Sequence, residues 1–213
     1  MKLKNFIAIG LVAAPVAAVA GPALNGAGAT FPAPIYQRWF QDYARTSGSR
    51  INYQSVGSGA GVRQFVAGTV DFGASDEPIK PAEAAKVKRG VVQIPMVGGT
   101  IAVAYNKTGC SLKLTQKQTV DIFAGRTKDW KALGCAAGPI KVVHRADGSG
   151  TTFAFTNSLE AFGGWTYGVA KSVNWPTGVA SKGNEGVAGT IKNTPGSVGY
   201  VNTGFVRVNK LQA

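Results

Sequence analysis

The segment of residues 145–152, RADGSGTT, lies between two apolar runs that differ in length and pattern. Residues 140–143 before it are short and β-branched, as in a buried strand, whereas residues 153–162 after it are long enough for a helix. The segment therefore predicts a junction where a strand leads into a helix. The first N–H groups of a helix have no partner within the helix and carry the positive end of its dipole. Such a junction can bind an anion.

Two further glycine-rich segments carry hydroxyl groups just before predicted helices: residues 26–31 (GAGATF) and residues 57–61 (GSGAG). Each segment alone is more typical of a turn with a helix cap. Because strand ends in an open α/β sheet gather at one edge, three such junctions in one chain predict a shared anion site. Neither segment has the glycine spacing of a dinucleotide loop, and the chain has no G-x-x-x-x-G-K-[ST] motif, so the sequence does not support ATP binding.

Strand-like and helix-like patterns alternate along the chain, which predicts an α/β fold. The predicted helices cover residues 34–47, 59–67, 81–89, 115–124, 150–162 and 184–192, and the predicted strands cover residues 51–55, 70–74, 91–94, 100–105, 140–143 and 198–201. The pattern restarts after the apolar stretch of residues 97–105. We therefore expect the chain to cross between two lobes there.

Residues 1–20 have the pattern of a secretory signal peptide, with a basic start, an apolar centre and an Ala-Val-Ala cleavage site at 18–20. The residue directly after this site is glycine and not cysteine, which argues against a bacterial lipoprotein. The net charge of +13 indicates either a well-solvated surface or attraction of an anion. The basic residues are spread thinly and form no recognisable binding motif, so a nucleic acid partner is not expected.

Cys110 and Cys135 are the two cysteines of the chain. In an exported protein such a pair predicts a disulfide. A metal site is a poor alternative, because two cysteines and the single histidine, His144, cannot complete a tetrahedral set. We expect no metal.

Asp76 follows the predicted strand over residues 70–74, and two interpretations of it remain open. It can cap a turn, as aspartate often does before proline. Alternatively it can face the anion site, where a carboxylate repels a fully ionised ligand and accepts a hydrogen bond from one that keeps a proton. Phosphate keeps a proton at neutral pH and sulfate does not, so this second role would select between the two anions.

Catalysis has weaker support in the sequence. Ser149 lies in Gly-Ser-Gly, which is not the G-x-S-x-G elbow of hydrolases. His144 and Arg145 are neighbours on a predicted strand and should point to opposite faces, so we expect His144 to be structural. We expect Asp147 to hold Arg145 in an ion pair.

Together these motifs closely resemble those of the phosphate-binding proteins of bacterial ABC-type phosphate uptake. The matching segments are residues 26–34, 70–76, 145–151, 182–186 and 195–201, in the same order. The resemblance implies a two-lobed α/β periplasmic binding protein of the type II kind that closes around one phosphate, without a cofactor. Carried over residue by residue, it implies ligand contacts from Thr30, Phe31, Ser58, Asp76, Arg145, Ser149, Gly150 and Thr151, with Asp147 paired to the arginine.

The resemblance also implies a domain organisation. Residues 21–98 would form the first lobe, residues 99–201 a nearly complete second lobe, and residues 202–213 a C-terminal tail. Family members are longer, and their last segment returns to the first lobe, so we expect the first lobe to lack that return segment. The implied function is a monomeric periplasmic receptor that delivers phosphate to a membrane permease. A secreted phosphate-ester hydrolase with Ser149 as nucleophile, and a shortened relative acting in adhesion or as a scaffold, are the alternatives.

Overall fold

The computed structural model describes residues 23–213, and the predicted signal peptide lies outside them. These residues form two separate β-sheets with helices packed on them. The strands are Ala23–Gly28 (β1), Arg50–Ser55 (β2), Phe72–Ala74 (β3), Ile101–Asn106 (β4), Lys141–Arg145 (β5), Val179–Ser181 (β6) and Ser197–Asn202 (β7). The α-helices are Ala33–Ser47 (α1), Ser58–Val66 (α2), Pro81–Ala84 (α3), Gln116–Phe123 (α4), Gly150–Phe162 (α5), Gly183–Asn193 (α6) and Thr203–Asn209 (α7), and a 3-10 helix spans Trp130–Leu133.

The first sheet is parallel, with the strand order β2-β1-β3. An aromatic cluster formed by Tyr36, Phe40, Tyr53 and Phe72 packs between α1 and this sheet, with ring centroids 5.3 to 6.3 Å apart. The Tyr53 hydroxyl donates to the Ala29 carbonyl at 2.7 Å. The cluster thereby ties the sheet to the loop that follows β1.

The second sheet has the order β4-β7-β5-β6, in which β7 runs antiparallel to β4 and parallel to β5. Every residue of β7 is buried. On one face Tyr200 packs with Phe123, Trp130 and Leu159, and on the other Val201 packs against α6. Two apolar layers therefore cover this sheet, one on each face.

Residues 91–100 contain no strand, so the prediction of one over residues 91–94 was wrong. Val92 and Ile94 are 84% and 66% exposed, and Pro95 cannot donate to a neighbouring strand. This segment instead borders a cavity of about 960 Å³ that Phe65, Phe72 and other first-lobe residues line. The helix predicted over residues 81–89 is also shorter, because α3 ends at Ala84.

Residues 202–213, which we expected to be a tail, pack against the second sheet instead. The Asn202 side chain accepts a hydrogen bond from the N–H of Gly204 at 2.6 Å and so begins α7. Phe205 is buried among apolar residues of β4, β7 and α6, and the Tyr105 N–H donates to the Gln212 carbonyl at 2.9 Å. A helix cap and a buried aromatic ring therefore make this segment part of the packing around the second sheet.

Cys110 and Cys135 form the predicted disulfide, with Cα atoms 5.4 Å apart. It links two loops beside the aromatic core of the second lobe. Within residues 23–213, no helix is long and apolar enough to cross a membrane.

We expect the double substitution Cys110→Ala with Cys135→Ala to lower the free energy of unfolding by about 3 kcal/mol, because the disulfide restricts the unfolded chain across a separation of 25 residues. Urea unfolding followed by tryptophan fluorescence measures the change. The reduced wild-type protein is the control and should show the same loss. Equal stability of the oxidised wild type and the double variant would contradict the prediction.

Candidate anion-binding site

The carboxyl ends of strands from both sheets meet at one place. β1, β2 and β3 lead into the segments 28–31, 56–59 and 74–77, and these face the junctions that follow β5 and β6. The N–H of Gly59 donates to the carbonyl of Gly148 at 2.7 Å across this boundary. The two sheets therefore build one site between them, as strand ends commonly do in α/β proteins.

The N-terminus of α5 fits tightly against the first sheet. The Gly150 N–H donates to the buried Ser58 Oγ at 3.1 Å, and the Asp76 N–H donates to the same oxygen at 3.4 Å. A Cβ atom at position 150 would lie 2.6 Å from the Asp76 Cβ and 2.7 Å from Ser58 Oγ. Only glycine permits this approach, so the first N–H of α5 reaches the opposite wall of the site.

Arg145 ends β5 with its side chain 1% exposed. Asp147 binds it through two parallel hydrogen bonds, from Nε to Oδ1 at 2.8 Å and from Nη2 to Oδ2 at 2.5 Å. Asp147 Oδ1 also accepts from the Gly183 N–H at 2.9 Å. Although burial acts to raise the pKa of Asp147, the hydrogen bonds and charge of Arg145 outweigh it and hold that pKa below its usual value.

The third guanidinium nitrogen of Arg145, Nη1, is buried and has no hydrogen-bond partner among residues 23–213. Leaving a charged donor buried and unpaired costs more than leaving a neutral donor so. Two other buried polar atoms without a hydrogen bond, Glu77 Oε2 and Lys171 Nζ, lie only 2.7 Å from each other in an ion pair. Arg145 Nη1 is thus a free cationic donor suited to an anionic ligand.

Asp76 contacts the second lobe rather than capping its own turn. The Thr151 hydroxyl donates to Asp76 Oδ2 at 3.3 Å. Burial raises the pKa of Asp76 to about 6, although the Thr151 hydrogen bond and the charge of Arg145 act to lower it. Of the two interpretations of Asp76, the structure favours the one in which it faces the start of α5.

Thr30, at the end of β1, is buried against α6. Its Oγ1 accepts from the Asn184 N–H at 3.0 Å and from Asn184 Nδ2 at 2.8 Å. Asn184 Nδ2 also donates to Thr151 Oγ1 at 3.1 Å. Asn184 was not among the predicted site residues. The available signal was a fourth strand-to-helix junction, at residues 182–186.

The remaining predicted residues lie at the same boundary. Ser149 is fully buried and caps α5, since its Oγ accepts from the Thr152 N–H at 3.0 Å. Phe31, Asp76 and Thr151 line the edge of the first-lobe cavity. The structure thus brings together all eight predicted ligand residues: Thr30, Phe31, Ser58, Asp76, Arg145, Ser149, Gly150 and Thr151.

His144 points away from Arg145, as predicted for neighbours on a strand. Its ring stacks on Trp175 with centroids 5.2 Å apart, and burial lowers its pKa. Among residues 23–213, no group of three or more histidine, cysteine or acidic side chains is placed to hold a metal ion. The polar groups that meet between the sheets are hydroxyls, amides, one guanidinium and carboxylates, which suit a small oxyanion.

Comparison with known proteins places this site in context. The profile of the PBP superfamily domain matches residues 14–213. The phosphate-binding protein PstS of Pasteurella multocida is 43% identical over 203 residues, covering 88% of this chain and 58% of its own length. The PstS protein of Haemophilus influenzae is 41% identical over 227 residues, covering 99% of this chain and 66% of its own length. The chain therefore spans about three fifths of the length of these curated relatives.

Solved structures show the same fold. A Clostridium perfringens protein solved with bound phosphate superposes with a TM-score of 0.77 at 24% identity, over 90% of this chain and 74% of that one. The phosphate-binding protein of Stenotrophomonas maltophilia gives a TM-score of 0.67 at 25% identity, over 84% of this chain and 60% of that one. These matches confirm the predicted α/β class with two sheets, of which this chain contains a part.

The substitution Asp76→Asn should raise the free energy of unfolding of the unliganded protein above that of the wild type, and the difference should grow as the pH rises from about 4 to 7. The folded protein holds the Asp76 proton up to about pH 6, whereas the unfolded chain releases it near pH 3.8. The stability that this proton contributes is therefore present below about pH 4 and is lost as the pH rises through 6. The gain of the variant over wild type should reach about 2 to 3 kcal/mol at pH 7.

Urea unfolding of both proteins at pH 4, 5, 6 and 7, without added anions, measures this difference. Parallel stability profiles for the two proteins would contradict the prediction.

Proposed function

We propose that this chain binds inorganic phosphate between its two sheets. The chain belongs to the PBP superfamily and, within it, to the PstS family. The observation that carries the proposal is the buried Arg145 at the end of β5, the strand that leads into α5, whose Nη1 has no hydrogen-bond partner among residues 23–213. A guanidinium beside helix N–H groups favours a multiply charged oxyanion. The PstS relatives are named as phosphate-binding proteins, which agrees with this chemistry.

The proposed ligand contacts are the eight residues that the sequence predicted, with Asp147 orienting the arginine. Ser58, Thr30 and the helix N–H groups, including that of Thr151, donate hydrogen bonds to the ligand. The Thr151 hydroxyl donates to Asp76, and the ionised Asp76 can only accept hydrogen bonds. A phosphate that keeps one proton satisfies both requirements. Sulfate brings no proton and would be repelled by the Asp76 carboxylate. Asp76 thus accounts for the choice of phosphate over sulfate.

In this proposal residues 21–98 and 99–201 act as two lobes that close on the ligand. Residues 202–213 belong to the second lobe by their packing. The contacts that join the walls of the closed cleft include Gly59–Gly148, Ser58–Gly150, Thr30–Asn184 and Asp76–Thr151. Each comes from a strand-to-helix junction, so closure would bring helix N-termini from both lobes to one anion.

The proposed role is that of a monomeric periplasmic receptor that hands phosphate to the membrane permease of an ABC transporter. The signal-peptide pattern of residues 1–20 supports export, and the resemblance of the site motifs to those of ABC-type phosphate uptake proteins supports delivery to a permease. A nucleic acid partner is not part of the proposal, because the basic residues form no binding motif.

A phosphate-ester hydrolase fits the geometry less well. The Ser149 hydroxyl caps α5 and is fully buried, and His144 stacks on Trp175 instead of approaching Ser149. A nucleophile needs a base within hydrogen-bond reach. Turnover of an aryl phosphate by the purified protein would favour the hydrolase, and a melting temperature that phosphate does not raise would favour a scaffold or adhesion role.

Calorimetry of the purified protein should show that phosphate binds at least about 100-fold more tightly than sulfate. This is the range expected when the wrong ligand leaves a buried polar group, here Asp76, without a hydrogen-bond partner. In Asp76→Asn the preference should shrink, because an amide carries no charge and can donate to sulfate. Equal affinity of the wild type for both anions, or an unchanged preference in Asp76→Asn, would contradict the role assigned to Asp76.

A further inference from the structure

Asn184 makes four hydrogen bonds at the centre of the candidate site and is fully buried. Its N–H and Nδ2 both donate to Thr30 Oγ1, at 3.0 and 2.8 Å. Its Nδ2 also donates to Thr151 Oγ1 at 3.1 Å, and its Oδ1 accepts from the Asn202 N–H at 2.9 Å. One side chain of α6 thus contacts a hydroxyl of the first lobe, a hydroxyl of α5 and the end of β7.

We propose that Asn184 is a positioning residue that makes the Thr30 hydroxyl an obligate donor to the ligand. A hydroxyl oxygen has two lone pairs and one proton. Both lone pairs of Thr30 Oγ1 receive N–H groups of Asn184, so the proton of Thr30 must point elsewhere. This inference rests on the proposed phosphate binding and adds the direction of one hydrogen bond in the site.

The orientation of the Asn184 amide is itself fixed. Its Oδ1 faces the backbone N–H of Asn202, so a flipped amide would place two donors against each other. Because Asn202 ends the fully buried β7, this contact anchors the amide to the core of the second sheet. The direction of the Thr30 proton is therefore set by the second lobe, although Thr30 belongs to the first.

The same amide also directs the Thr151 hydroxyl. Thr151 Oγ1 accepts from Asn184 Nδ2 and donates to Asp76 Oδ2, so its proton points to the carboxylate. Thr30 therefore donates to an unprotonated oxygen of the ligand, and Asp76 accepts a hydrogen bond from a protonated oxygen of the ligand. In the proposal Asn184 does not contact the ligand. It determines that Thr30 donates to the ligand and that Asp76 accepts from it.

The test replaces Asn184 by aspartate, which has the same shape but can only accept hydrogen bonds from the Thr30 and Thr151 hydroxyls. The phosphate Kd, measured by calorimetry, should rise by about 100-fold. Asn193→Asp is the matched control, since it makes the same change at an exposed position of the same helix. Its phosphate Kd should remain that of the wild type.

The decisive comparison places Asn184→Asp in two backgrounds, Thr30→Ser, which keeps the hydroxyl, and Thr30→Val, which removes it. The rise in Kd caused by Asn184→Asp should be at least about tenfold larger with serine at position 30 than with valine, because only serine has a proton to redirect. Asn184→Leu, which lacks the charge, is carried through the same backgrounds and should show the same dependence on the hydroxyl. Urea unfolding of each variant identifies any that do not fold.

An equal fold-change in the serine and valine backgrounds would show a purely structural or electrostatic role for Asn184 and would overturn the proposal. So would wild-type affinity in Asn184→Asp. If the wild-type protein itself fails to bind phosphate, the proposed function fails and this inference fails with it. Binding by the wild type without the dependence on Thr30 overturns this inference alone.

Discussion

The buried ion pair between Arg145 and Asp147 is the interaction on which the rest of the site depends. A guanidinium as deeply buried as that of Arg145 is strongly unfavourable without a partner. Asp147 neutralises it, fixes its plane through two hydrogen bonds, and accepts a third from Gly183 at the start of α6. The pair therefore joins the junctions after β5 and β6 and leaves Nη1 as the donor available to a ligand.

The first sheet supplies the opposite wall of the site. Gly150 allows the start of α5 to approach Ser58 and Asp76, and this approach encloses the Asp76 carboxyl and raises its pKa. The same closeness aligns Thr30 with Asn184. Charge, hydroxyl groups and a single carboxylate acceptor are thus combined at one place because strand ends from two sheets meet there.

The sequence predicted the strand-to-helix junctions of the site better than it predicted the segments that pack around them. Residues 145–152 and 57–61 could be recognised because glycine, hydroxyl groups and an apolar run mark a strand-to-helix junction locally. Residues 182–186 mark a further junction, but the role of Asn184 within it could not be predicted, since that role depends on contacts with Thr30, 154 residues away in the chain. The strand predicted over residues 91–94 does not form, and residues 202–213 pack on the second sheet and include a helix at 203–209. Both outcomes depend on which partners the folded chain provides.

The most direct test of the account is the phosphate affinity of Arg145→Lys, which keeps the positive charge but loses the planar fork. One ammonium group cannot bind Asp147 in two places and still present a separate donor, so the phosphate Kd should rise by about 10- to 100-fold. Arg38→Lys, at a side chain 72% exposed on α1, should leave the Kd unchanged. Wild-type affinity in Arg145→Lys would contradict the account, because charge alone would then explain binding.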